Sequence, residues 1–189
     1  MRGGASSPAA DLALKMPPVD AFIALGSNLG DPLAQIAAAC DALAHLPHTH
    51  LVCASKRYVN PPMGPQDQPD YVNAVVLLST QLAPLALLDA LQALEQAAGR
   101  FATRHWGERV LDLDILTYGS QTIQTERLTI PHVGMADRRF VLAPWAEIAP
   151  QAQLPDGRHI ADLLDAAPNH PLQVMSAVCW DNSDVKATD

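Results

Sequence analysis

The sequence predicts an α+β fold built on the element order β-α-β-β-α-β, with additional strands and helices after it. Three observations predict it. Four short runs rich in valine, leucine and isoleucine have strand length, and two longer segments place apolar residues three and four apart. Proline and glycine fall between these segments rather than inside them, so each element has a chemical start and stop.

Val19 to Leu25 is the first apolar run and reads as a strand that ends in a turn at Gly26-Ser27-Asn28. Asp31 then stands where a helix cap belongs, with Pro32 at the first helical position. Leu33, Ile36, Ala37, Cys40, Leu43 and Ala44 carry one apolar face to about Leu46. Leu51 to Val59 reads as a second strand. Asn60 to Asp70 holds four prolines and a glycine and is a long loop. Tyr71 to Ser79 is the third strand. Pro84 opens a second helix with Leu87, Leu88, Leu91 and Leu94 on one face, and Gly99 closes it. Residues 100–108 form another loop, and Val110 to Tyr118 is the fourth strand. A further helix is expected from Leu142 to Ile148. The order is that of a ferredoxin-like sandwich. The domain is expected to span residues 19–167, between a loose leader at 1–18 and a C-terminal tail at 168–189.

Composition narrows the function. Hydrophobic residues make up 49% of the 189 and charged residues 17%, which excludes a disordered or fibrous chain. No apolar run approaches a membrane span. Cys40, Cys53 and Cys179 are far apart and show neither zinc-site nor disulfide spacing, which points to a reducing, cytoplasmic setting. The net charge of −8 argues against nucleic acid as a partner. Yet six of the 12 basic residues, all arginine, lie between Arg100 and Arg139, where only five acids accompany them. That window carries +1 and the remainder −9. An arginine cluster in an acidic chain suits a small polyanion.

The strongest chemical signal is Leu111-Asp112-Leu113-Asp114-Ile115. Alternation along a strand puts both carboxylates on one face. Alone, such a pair is most often a solvated strand face. With Arg100, Arg104 and Arg109 just upstream, carboxylates for a cation stand beside arginines for phosphate, which is what phosphoryl transfer needs. The second signal is the stiff loop running into Tyr71-Val72-Asn73. Tyr71 and Asn73 share a strand face, and a ring beside an amide suits a flat heterocycle, although a tyrosine packed under a helix is the blander reading. Gln92 and Glu95 neighbour each other on helix two, where a solvated face is the simplest account. His132 and Phe140 are candidates for a phosphate donor and a second aromatic face, or for ordinary loop and core residues.

Taken together, three motifs resemble the 6-hydroxymethyl-7,8-dihydropterin pyrophosphokinases of folate biosynthesis. They are Asn60-Pro-Pro-Met-Gly-Pro-Gln-Asp-Gln-Pro-Asp-Tyr-Val-Asn73, Arg109-Val-Leu-Asp-Leu-Asp-Ile115 and Leu128-Thr-Ile-Pro-His132. The resemblance runs from about Ala21 to Leu164. It implies transfer of pyrophosphate from ATP to the hydroxymethyl group of a reduced pterin, with release of AMP. Asp112 and Asp114 would then be catalytic residues and ligands of two Mg²⁺ ions. Arg100 and Arg109 would be catalytic arginines on the transferring phosphates. Tyr71 and Phe140 would sandwich the pterin, Asn73 would read its edge, and the backbone around Asn60 and Met63 would add hydrogen bonds. Trp106 matches the loop tryptophan on the pterin side. Gln92, Glu95, Arg127, His132 and Arg138, with the two arginines, match ATP-side positions. Gly26, Ser27 and Asn28 match the turn after the first strand. Ala102, His105, Glu108 and Val133 depart from the residues common at those positions.

The chain is further expected to act as a monomer on two small molecules, with neither nucleic acid nor membrane as partner. Gly99 and Gly107 would flank a segment that closes over the site. Two other readings compete: a non-catalytic ferredoxin-like binding module, and a metal-dependent phosphohydrolase with water as nucleophile. Pterin-dependent formation of AMP separates kinase from hydrolase, and absence of Mg²⁺-dependent ATP binding would favour the module.

Overall fold

A computed structural model describes residues 17–99 and 107–175. Its elements are β1 (Val19–Ser27), α1 (Pro32–Ala44), β2 (Thr49–Ala54), β3 (Tyr58–Asn60), β4 (Tyr71–Thr80), α2 (Pro84–Ala97), β5 (Asp112–Tyr118), β6 (Ile123–Gln124), β7 (Thr129–Ile130), α3 (Arg139–Ile148), α4 (Ile160–Ala166) and β8 (Gln173–Val174), with a 3₁₀ turn at Met135–Asp137. The main sheet runs β5-β1-β4-β3-β8, and β2 also pairs with β4. Every pairing is antiparallel. This is the predicted ferredoxin-like order, in which β1 lies between β4 and β5.

Alternation along β1 sorts its side chains between two cores. Ala21, Ile23 and Leu25 face α1 and α2, where Ile36, Leu43, Leu87 and Leu91 are fully buried. Phe22 and Ala24 face α3 and α4, against Leu142, Trp145 and Ile160. The rings of Phe22 and Trp145 lie 5.0 Å apart, tilted by 41°. A fully buried leucine contributes about 1.5–3 kcal/mol relative to exposure, so each core is a substantial stabilising block. Asp31 caps α1 through Oδ1, which accepts from the Ala34 backbone N–H at 3.1 Å.

Three of the boundaries that differ from the sequence expectation have a visible reason. The second strand is broken into β2 and β3 because Ser55 replaces part of the ladder. Its N–H donates to the Val75 carbonyl, and its hydroxyl accepts from the Val75 N–H at 3.0 Å. β1 runs two residues past Leu25, because Gly26 and Ser27 still pair with Asn73 and Val72. α3 begins at Arg139 rather than Leu142. The Arg138 carbonyl accepts from the Leu142 N–H at 3.0 Å, which closes a helical turn ahead of Leu142, with Pro144 inside the helix. In addition, Gln173 and Val174, within the segment set apart as a tail, form β8 against Val59 and Tyr58.

Candidate active site

The site lies on the α3 face, at the end of the sheet that α3 and α4 leave uncovered. Three strands supply its floor. Asp112 and Asp114 on β5 pair in register with Gly26 and Ala24 on β1, and Gly26 pairs in turn with Asn73 on β4. Two near-side-chain-free residues therefore separate an acidic row from an amide and aromatic row. The rows stand two strand spacings apart, about 10 Å. A cavity of about 230 Å³ opens above this floor, lined also by Asn60, Met63, Gly64, Tyr71, Gly107, Arg109, Arg138, Phe140 and Val141.

Asn28 holds the rim together, and it was not singled out for any such role in the sequence. It is buried, and its amide nitrogen donates to Gln68 Oε1 and to the Pro69 carbonyl, both at 3.0 Å. Its Oδ1 accepts from the Arg109 N–H at 2.8 Å, and its own N–H donates to the Arg109 carbonyl at 3.0 Å. One side chain thus ties the proline-rich loop to the segment entering β5. Ser27 adds a hydroxyl bond to the Val110 carbonyl at 2.6 Å. The available signal was two polar residues directly after an apolar strand. Tyr71 closes the same rim by donating its hydroxyl to the Gly107 carbonyl at 2.8 Å. Burial raises the Tyr71 phenol above its usual range, against the pull of Arg109, so it stays a donor near neutral pH.

The two carboxylates face bases. Arg109 Nη1 lies 3.2 Å from Asp112 Oδ1, and His132 Nε2 lies 3.7 Å from Asp114 Oδ2. His132 donates its backbone N–H to the Leu116 carbonyl, which sets it beside β5. The guanidinium of Arg138 lies over Gly134, whose φ of 73° is in the left-handed region that favours glycine. Among the described residues no group of three or more metal-binding side chains exists. Two carboxylates opening into a cavity roomy enough for phosphate nonetheless fit Mg²⁺, which takes few protein ligands and completes its shell with phosphate oxygens and water.

The structure thus brings Asn60, Met63, Tyr71, Asn73, Phe140, Arg109, Arg138, Asp112 and Asp114 into one cavity, with His132 against Asp114. It places three other candidates outside the lining. Glu95 is buried on the α2 side, where Oε1 accepts from the Leu113 N–H at 2.8 Å and covers the open edge of β5. Gln92 is exposed on α2. Arg127 is exposed and paired with Asp89 on the surface. Arg100, Arg104, His105 and Trp106 lie outside the described residues, and with them the expected closing segment.

An α+β domain whose cavity joins carboxylates, arginines and an amide–aromatic wall is that of an enzyme acting on a small polyanion together with a flat ring. The family model for 7,8-dihydro-6-hydroxymethylpterin-pyrophosphokinase (HPPK) matches residues 22–150, and the chain belongs to this family of ATP-dependent pyrophosphokinases of folate biosynthesis. The 2-amino-4-hydroxy-6-hydroxymethyldihydropteridine pyrophosphokinase of Haemophilus influenzae is 52% identical over 154 residues, 82% of this chain and 96% of that protein. The protein of the same name from Pseudomonas aeruginosa is 54% identical over 147 residues, 78% of this chain and 91% of that one.

Among solved structures, an HPPK-DHPS in complex with substrates superposes with a TM-score of 0.63 at 15% identity, over 79% of this chain and 43% of that one. The wild-type Plasmodium falciparum HPPK-DHPS with pterin and p-hydroxybenzoate gives 0.62 at 15%, over 82% and 44%. The chain therefore spans less than half the length of those two structures, and at that identity the likeness concerns the fold.

Proposed function

We propose that this chain transfers the β,γ-pyrophosphoryl group of ATP to the hydroxymethyl oxygen of 6-hydroxymethyl-7,8-dihydropterin, releasing AMP. The observation that carries this reading is the arrangement of the floor. An acidic row and an amide–aromatic row face one cavity, with only Ala24 and Gly26 between them. The pterin ring fits the Asn60, Tyr71, Asn73 and Phe140 end. Its hydroxymethyl group then points along the floor toward Asp112 and Asp114.

In the reaction the hydroxyl oxygen attacks the β-phosphorus, a new O–P bond forms, and the bond to the α,β-bridging oxygen breaks, leaving on AMP. The hydroxyl proton passes to the Asp114 carboxylate. Arg109 and Arg138 at the cavity wall are the described groups that steady the phosphate oxygens as charge builds on them. Asp112 and Asp114 would hold two Mg²⁺ ions, which when bound neutralise phosphate charge. Gln92, Glu95, Arg127 and His132 remain the proposed ATP-side residues. Arg100 and Trp106 complete the proposal on the phosphate and pterin sides.

Action as a monomer is part of this proposal. The net charge of −8 supports small molecules rather than nucleic acid as partners. No helix among the described residues is long and apolar enough to cross a membrane. Two cores on a single sheet support one domain that begins at about residue 19 and, because β8 pairs with β3, runs past 167 to Val174; the free thiols Cys40 and Cys53 support a cytoplasmic setting. The test is incubation of the protein with Mg²⁺, ATP and the reduced hydroxymethylpterin, with chromatography of nucleotides and pterins. The expected products are AMP and the pterin diphosphate in equal amounts. ADP and phosphate formed without pterin would replace this reading with a phosphohydrolase.

A further inference from the structure

The wall of the cavity opposite the carboxylates contains a hydrogen-bond relay that fixes which atom of Asn73 meets the ligand. Asn60 and Asn73 are both nearly fully buried. Asn60 Nδ2 donates to the Pro61 carbonyl at 2.7 Å. A backbone carbonyl can only accept, so this contact settles the orientation of the Asn60 amide. Asn60 Oδ1 must then face Asn73, and it accepts from Asn73 Nδ2 at 2.6 Å. The Asn73 amide is oriented in turn. Its Oδ1 is left over the floor at Gly26, where a Cβ on that residue would come within 3.2 Å of it. Gly26, Asn60 and Asn73 all line the cavity.

We propose that Asn60 is a positioning residue whose side chain locks Asn73 with its carbonyl oxygen toward the ligand, so that the site selects a ring presenting an N–H donor at that edge. This rests on the pyrophosphokinase reading above and adds a role for the Asn60 side chain, distinct from its backbone. Without the lock, the Asn73 amide can turn over and present Nδ2 instead. A donor would then oppose the ring's donor, and binding falls without any change at the carboxylates about 10 Å away.

The test is a double-mutant cycle of Asn60→Leu and Asn73→Ala, read as KM for the reduced pterin, KM for ATP and kcat, with melting temperatures as the check on folding. Asn60→Leu is expected to raise the pterin KM about tenfold while leaving the ATP KM within about twofold. In the Asn73→Ala background the same substitution is expected to add nothing, because the Asn60 side chain acts through Asn73. An Asn60→Leu effect that multiplies unchanged onto Asn73→Ala, or one that falls equally on ATP, would overturn the relay. So would an unchanged pterin KM. Should Asn60→Leu melt early, Asn60→Ser, too short to reach Asn73, enters the same cycle with the same expectations. Absence of pterin-dependent AMP in the wild type sinks the pyrophosphokinase reading instead, and is thereby distinct from a failure of the relay.

Discussion

The two faces of one sheet contrast sharply. Toward α1 and α2, strands β1, β4 and β5 present an unbroken apolar surface, and the few polar groups there serve the backbone, as Glu95 does at Leu113. Toward α3 and α4 the same strands are apolar only under Trp145 and Leu142. Beyond them the face turns to Asp112, Asp114, Asn73 and Tyr71. Neighbouring residues on a strand belong to opposite faces, so a stretch such as Leu111 to Ile115 serves both purposes with no length to spare. Stability is concentrated on the closed face and chemistry on the half-open one, and substitutions should separate accordingly.

The largest effect is expected on the closed face. Leu91→Ala, at a fully buried position, should cost about 2–5 kcal/mol in denaturant unfolding while leaving kcat per folded molecule near wild type. Next come Asp112→Asn and Asp114→Asn on the open face, each expected to lower turnover by at least ~10²-fold with little change in melting temperature. Near-native activity in both at ordinary Mg²⁺ would remove the metal assignment. Tyr71→Ala and Phe140→Ala should each weaken pterin binding by about 0.5–1.5 kcal/mol beyond lost area, and ATP binding by less. Calorimetric titration of each ligand decides this, and equal losses for both would mean a general disturbance of the fold.

The smallest effect near neutrality is a titration on the closed face. Burial pushes the Cys40 thiol up from 9.0 to about 12, against the pull of Arg57, and burial also raises Cys53 and Tyr118. A raised folded-state pKa leaves stability untouched below the unfolded value and removes it above. Unfolding free energy should therefore begin to fall as pH passes about 9 and keep falling toward 12. In the native protein at pH 8, Cys40 should resist alkylation and become reactive only in denaturant, as peptide mass mapping would show.

Much of this protein was determined by its sequence alone. Apolar spacing placed α1 and α2, Asp31 and Pro32 marked a helix start, and alternation put Asp112 with Asp114 and Tyr71 with Asn73. Each of these is a local property, because side-chain periodicity and capping act over a few residues. Tertiary structure decided what no short window contains. It put the two rows on the same side of the sheet through the pairings at Gly26, and it made Gly26 and Ala24 a floor by setting them between larger neighbours. It turned Ser55 into a substitute for a ladder bond and sent Glu95 to the edge of β5 rather than the cavity. It also gave Asn28 and Asn60 their partners. A buried amide's role depends on which donors and acceptors arrive from elsewhere in the chain, and those arrive only when the chain folds.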